Sequence, residues 1–423
     1  MAGERPINAD VPALEPPEAP PPAQAKRWRK PIPGALKAIA ALVILAVAFI
    51  VAAVLGGSSN DSDDGSTGIE ASASETASEL GYPAFATSNT TRVGGEDPAA
   101  NAAGVALAVY PSTEPGLRPA AVTLLDEENW QAAIAASVLM AEPIGAPTLV
   151  SSPDGLPEPS AEALSALDPQ GGAATRGAAA FAIGDIDTGD AEKVTRIASR
   201  SPAAGAAAIA RLREQLTGKA PAHIVVASSQ DPGLAMPAAA WAARSGDPVL
   251  FAERDKLPKA TATALRRHPD VPVYVLGPSS AISSDVVRAI SEIANRVSRV
   301  SGEDPVANAI AFARYDDGDF GWNINDPGHG FVVARAHSPL DAAAAAPLSA
   351  SGTWGPLLLT DSADTLPGAL RGYLLDVKPG YTTDPTRAFY NHVWVIGDQE
   401  AIDVNQQAEI NNLAELAKIG GAP

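Results

Sequence analysis

The sequence predicts an α/β protein: three tandem copies of one sandwich with parallel sheets, preceded by a single transmembrane helix. Three observations predict it. The run from Ala38 to Leu55 is apolar and carries no charge; a few short phrases recur in fixed order along the rest of the chain; and between them continuous apolar runs alternate with Ala-rich stretches of helical length.

Residues 1–34 are rich in Pro and read as a disordered arm, extended around Pro16-Pro17 and Pro20 to Pro22. Residues 35–55 form the predicted transmembrane helix. Its uncharged core is too long for the cleavable segment of a signal peptide, and Lys37 can snorkel at its end. Lys26, Arg27, Arg29, Lys30 and Lys37 precede the span while Asp61, Asp63 and Asp64 follow it. The positive-inside rule therefore places the N-terminus in the cytoplasm of a single-pass protein of the cell membrane. Residues 56–89, rich in Ser, Gly, Thr, Asp and Glu, read as a flexible acidic spacer.

The remaining chain is divided by its phrases into 90–194, 195–297 and 298–423. Thr91-Arg92-Val93-Gly94-Gly95-Glu96-Asp97-Pro98 returns as Thr195-Arg196-Ile197-Ala198-Ser199-Arg200-Ser201-Pro202 and as Ser298-Arg299-Val300-Ser301-Gly302-Glu303-Asp304-Pro305. The arginines are spaced by 104 and then 103 residues. A Pro-hydrophobic run followed by Leu-Pro recurs at Leu156-Pro157, Leu257-Pro258 and Leu366-Pro367, and an apolar strand ending in Gly recurs at Phe181–Gly184, Tyr274–Gly277 and Trp394–Gly397. In the middle copy, helices are predicted over 202–216, 235–244, 259–268 and 285–294, and strands over 223–227, 249–251 and 273–276. Apolar strands between helices of this length indicate a parallel sheet covered on both faces, a small Rossmann-like sandwich per copy.

With these phrases the chain resembles the cell wall-binding repeat 2 family over roughly 88–418. The resemblance implies a pseudo-threefold module of three repeats that holds proteins noncovalently on an anionic secondary polymer of the cell wall. The middle opening phrase departs from the pattern by lacking Gly-Glu-Asp. The family's Asp-Ala-Leu phrase survives in part only as Asp341-Ala342-Ala343.

Arg92, Arg196 and Arg299 are candidate ligand contacts, because a guanidinium can grip phosphate or carboxylate bidentately. The alternative is an Arg paired with the acidic residue four or five positions on, tying repeats together. The loops reaching Leu156-Pro157, Leu257-Pro258 and Leu366-Pro367 leave the carboxyl ends of parallel strands, where open α/β sheets bind ligands. Leu-Pro is also an ordinary entry into a helix. Arg254 and Lys256 single out the middle loop as the anion contact. Asp97-Pro98, Ser201-Pro202 and Asp304-Pro305 read as helix caps.

Composition narrows the function. The chain has 423 residues, 46% hydrophobic and 5% aromatic, no Cys, and a formal charge of −19. No thiolate metal site or cysteine nucleophile is possible, and the acidic balance argues against nucleic acid as a partner. The five His show no metal-ligand spacing. No nucleophile elbow, Walker loop or dinucleotide fingerprint occurs, so neither a catalytic residue nor a cofactor is predicted. The expectation is a noncatalytic envelope protein, anchored through Ala38–Leu55, that binds a cell wall polymer. The alternative is an extracytoplasmic scaffold or assembly factor that binds envelope protein partners only.

Overall fold

The computed structural model describes residues 85–419. The arm, the span over Ala38–Leu55 and most of the acidic spacer lie outside the described residues. Among the described residues no helix is long and apolar enough to cross a membrane.

In the first copy, helix α1 (Pro98–Val109) leads to strand β3 (Val122–Asp126), helix α2 (Trp130–Ala136), strand β4 (Thr148–Ser151), helix α3 (Glu158–Leu167) and strand β5 (Ala180–Ile183). The middle copy repeats this with α4 (Pro202–Thr217), β7 (Ile224–Ser228), α5 (Pro232–Ala235), α6 (Pro237–Ser245), β8 (Val249–Ala252), α7 (Lys259–Arg266), β9 (Val273–Leu276) and α8 (Ser284–Ser291). Its predicted elements are all present, with ends displaced by a few residues. The last copy has α9 (Pro305–Arg314), β11 (Gly330–Arg335), α10 (Pro339–Ala350), β12 (Leu357–Thr360), α11 (Gly368–Asp376), β14 (His392–Ile396) and α12 (Val404–Ala414). It also carries β13 (Gly380–Tyr381), which pairs with β15 (Ala417–Lys418).

Each copy builds a parallel sheet, and each sheet ends on a strand from the copy that follows. The strand holding Arg196, β6 (Val194–Ile197), pairs with β5 in the first sheet, Ala182 opposite Arg196. The strand holding Arg299, β10 (Val297–Val300), pairs with β9 in the second, Val275 opposite Arg299. The cycle closes at the third: β2 (Thr90–Val93), from the start of the first copy, pairs with β14, Val395 opposite Arg92. The sheet orders are therefore β4-β3-β5-β6, β10-β9-β7-β8 and β1-β2-β14-β11-β12, where β1 (Phe85–Ala86) lies antiparallel on β2. Strands β3, β4 and β5, like β7, β8 and β9, are buried almost throughout, which is why they read as unbroken apolar runs.

The repeated capping residues act as their sequence suggests. Asp97 Oδ1 accepts from Ala100 N at 2.8 Å, Ser201 Oγ from Ala204 N at 3.3 Å, and Asp304 Oδ1 from Ala307 N at 2.8 Å, each with Pro in the first turn. The Gly that ends each apolar strand turns left-handed, with φ of 105° at Gly184, 115° at Gly277 and 96° at Gly397. Glycine adopts that turn without a Cβ penalty.

Alanine makes the copies meet. The helices after the central strands are rich in buried Ala: Ala132–Ala136, Ala238–Ala243 and Ala342–Ala346. Short side chains let helix axes approach closely, and α10 packs against both α1 and α6. Met140, Ala243 and Ala346, one from each copy, form a single buried cluster. A second device is the insertion before β11: Phe320, 1% exposed, stacks on Tyr274 of the middle copy with ring centroids 3.6 Å apart. Beside it the Tyr274 hydroxyl donates to Asp317 Oδ2 at 2.8 Å.

Candidate ligand-binding site

The three repeated arginines lie one per sheet, Arg196 and Arg299 on edge strands and Arg92 on β2, which only the short β1 flanks, and they do not converge. Arg92 is 2% exposed. Its Nε donates to Gln407 Oε1 at 3.0 Å, Nη1 to the carbonyls of Gly397 at 2.8 Å and of Asp398, and Nη2 to the Ile402 carbonyl at 2.6 Å. Burial lowers its pKa to about 10, with Asp398 and Asp403 opposing the shift, so the guanidinium stays charged at neutral pH. Arg299 repeats the arrangement with fewer partners: Nη1 donates to Gly277 O at 2.6 Å and Nη2 to Ile282 O at 2.7 Å. Burial lowers its pKa too. Arg196, the exposed member, donates to Ile186 O at 3.0 Å and to Thr188 Oγ1 at 3.4 Å.

In all three places the fork holds the loop that follows the apolar strand of the preceding copy. The partners are chiefly carbonyls, not the acidic residues four or five positions on. At Arg92 the guanidinium is filled by protein acceptors and sealed from solvent.

The Leu-Pro phrases also act locally. Pro157, Pro258 and Pro367 sit at the N-caps of α3, α7 and α11 with extended ψ of 147°, 145° and 137°. Leu366 is buried in the core of the last copy, and the half-buried Leu156 and Leu257 pack against the cores of theirs. The leucines pin down the loops that leave the carboxyl ends of β4, β8 and β12, each an edge strand.

The solvent-facing chemistry is on the tips of those loops. Tight turns are closed by bridges between Ser152 and Gly155 and between Glu253 and Lys256, whereas the third loop is organised by Ser362, whose Oγ accepts from Thr365 N at 3.2 Å. The middle tip presents Arg254 and Lys256, both exposed. Lys256 Nζ lies 3.0 Å from Glu253 Oε1, and Arg254 Nε 3.8 Å from Asp255 Oδ2. Its backbone is fixed from both sides, since Arg254 N donates to Gln230 Oε1 at 2.9 Å and Ser283 N donates to Arg254 O at 2.8 Å. Such a tip offers exposed cationic side chains on a turn held by backbone hydrogen bonds, suited to an extended anion.

Some residues that the repeat phrases did not single out hold the copies together. Asn101 on α1 accepts from Gly95 N at 2.9 Å and donates to Asp341 Oδ1 on α10 at 2.9 Å. Asn308, its counterpart on α9, accepts from Gly302 N and donates to Leu234 O. The middle copy has Gly205 at that position and Ser199 where the others have Gly; Ser199 Oγ accepts from Asn129 of the first copy at 3.1 Å. The polar group has moved from helix to loop, and each copy still bonds the one before it. Arg213 on α4 adds a staple, donating to Gly246 O and, in the first copy, to the carbonyls of Val138, Ala141 and Glu142. Asp341 was visible in the sequence as the remnant of an Asp-Ala-Leu phrase, the signal for Asn101, Asn308 and Ser199 is their alignment across copies, and Arg213 has no counterpart to mark it.

The histidines are held separately: His223 on Asp247, His268 on Glu214, His329 on Asp326 and His392 on Thr91, with His337 exposed. Among the described residues no group of three or more His, Asp or Glu is placed to hold a metal ion.

Residues 196–287 and 299–406 each match the family model of cell wall binding domain 2. The matches cover the two copies behind the first, including the middle one with its altered opening phrase. Among solved structures, Cwp6 from Clostridium difficile is 20% identical, with a TM-score of 0.61 over 77% of this chain and 47% of that one. Cwp8 from the same organism is 18% identical, with a TM-score of 0.59 over 78% of this chain and 52% of that one. The chain thus spans about half the length of these relatives, and the likeness is one of fold. No curated protein sequence matches it. Two of the three copies, 196–287 and 299–406, are thus similar to the cell wall-binding repeat 2 family.

Proposed function

We propose that this chain is a noncatalytic, membrane-anchored envelope protein whose pseudo-threefold module holds a cell wall polymer outside the membrane. The family match over 196–287 and 299–406 carries the reading. The anchor is the run Ala38–Leu55, oriented by the basic residues before it and the acidic ones after it. With Arg92 committed to the fold, the ligand contact falls to the exposed loop tips, above all Arg254 and Lys256. The test is co-sedimentation of the detergent-solubilised chain with native cell walls and with walls stripped of secondary polymer. Retention on native walls alone supports polymer binding; equal retention on both overturns it.

A second reading is a scaffold that binds protein partners. Phe389 and Tyr390 favour it, being 69% and 56% exposed in the segment before β14 that is particular to the last copy. Loss of partner binding on replacing both by Ser, with wall retention intact, would separate the two.

A further inference from the structure

The charge of −19 is not shared among the copies. Residues 195–297 hold 13 Lys and Arg against 8 Asp and Glu, whereas 90–194 hold 4 against 15 and 298–423 hold 7 against 16. A cationic copy is thus enclosed between two strongly anionic ones.

Its positive groups are gathered. Helices α4 and α7 pack side by side over β8. On α7, Lys259 and Arg266 are exposed and seven positions apart, so they share one face two turns along, at about 10 Å spacing. Arg267 continues the line at the far end, and Arg254 and Lys256 begin it on the turn that feeds the helix. Arg211 is exposed on the adjoining α4. Three of these groups have acidic neighbours: Arg267 pairs with Glu214, Lys256 with Glu253, and Arg254 lies beside Asp255. Arg211, Lys259 and Arg266 form no ion pair among the described residues.

We propose that this stripe, from the β8 turn along α7, is the seat of a linear anionic polymer, and that the module takes one such strand on its middle copy instead of three on equivalent sites. The inference rests on the wall-polymer reading above and assigns that ligand's place. Charges spaced by about a Debye length act nearly independently on small ions, so a compact anion meets one or two of them. A chain of phosphates or carboxylates meets several together and releases counterions, which gives tight binding that falls steeply with salt. The acidic copies on either side repel the same polymer and confine it to the stripe.

The probes are long-chain polyphosphate and polygalacturonate, with neutral dextran as control, applied to the full chain in detergent. The wild type is expected to bind one or both polyanions with steep salt dependence and to ignore dextran; the preferred polyanion identifies the charged group. Lys259→Glu with Arg266→Glu should weaken binding about tenfold or more at unchanged melting temperature. Arg387→Glu with Lys418→Glu, which changes net charge equally on the last copy, should leave it intact. Equal loss in both double variants, or dextran binding like the polyanions, overturns the proposal. So does low-salt self-association of the wild type that disappears in the Lys259/Arg266 variant without any polyanion binding, because the stripe then meets a second copy of this chain. Polyphosphate binding through the stripe by a chain that ignores native walls leaves this inference standing and refutes the wall-polymer function. Wall binding unaffected by the stripe variant does the reverse.

Discussion

Asn101 and Asp341 meet across the seam where the last copy joins the first, Nδ2 to Oδ1 at 2.9 Å, both side chains buried. Burial raises the carboxyl pKa of Asp341 from 3.8 to about 6, the Asn101 bond lowers it in part, and the charge of Asp97 raises it further. The seam therefore carries a group that is easier to bury protonated.

The pH dependence follows from that sign. A carboxyl whose pKa is higher folded than unfolded binds more protons when folded, so stability declines as pH climbs from about 4 to about 6 and levels off above. Asp341→Asn keeps an acceptor for Asn101 and removes the charge. Its melting temperature should exceed that of the wild type at pH 7 and converge with it near pH 4, a gain on the order of 3 kcal/mol at most. A wild-type melting profile with no slope in that window, or a variant less stable at pH 7, would show that the carboxylate is well accommodated.

The arginine series tests what the repeated fork does. Arg92→Met strands three carbonyls and the Gln407 side chain, with an expected loss on the order of 3 kcal/mol. Arg299→Met should cost less and Arg196→Met least, in step with their burial and partners. Chemical denaturation reads the order directly. Equal, negligible losses together with weaker wall retention would return the arginines to the ligand.

The relocated polar group in the middle copy predicts a compensation. A Cβ on Gly205 would lie 2.4 Å from Ser199 Oγ, so Gly205→Asn alone should destabilise by about 2 kcal/mol. Adding Ser199→Gly recreates the Gly and Asn of the other copies and should recover most of the loss. Additive effects in the double-mutant cycle would contradict the equivalence.

Removal of the closing strand should be felt far along the chain. Trp394 sits opposite Thr91 in the β2–β14 pairing. Deleting residues 85–93 should lower the melting temperature and shift tryptophan emission to the red, while deleting 85–86 should do little. Identical behaviour of the two truncations would mean that β2 contributes nothing to the third sheet.

The three copies, their helices and their apolar strands were legible because each buries a face that only a parallel sheet explains. Which sheet the opening strand joins was not: a tandem repeat has the same period wherever it is cut, so Arg92 could be assigned to its own copy or to the one before. The partners of the arginines were hidden for the same reason, since the carbonyls of Gly397 and Ile402 are remote in sequence and carbonyls leave no mark in it. The Leu-Pro phrases mark the loops that leave the carboxyl ends of the edge strands, and their leucines anchor those loops in the cores. Phe320 gave no periodic signal because its insertion occurs once.

The strand exchange fixes when the molecule can be finished. Arg92 and the Ile402 carbonyl that receives it are 310 positions apart, so during synthesis the opening strand must wait, edge exposed, until the third copy has emerged. A circular permutant opened between β5 and β6 would shift that wait to a different sheet without altering a single contact elsewhere, and its refolding rate would reveal which closure limits assembly.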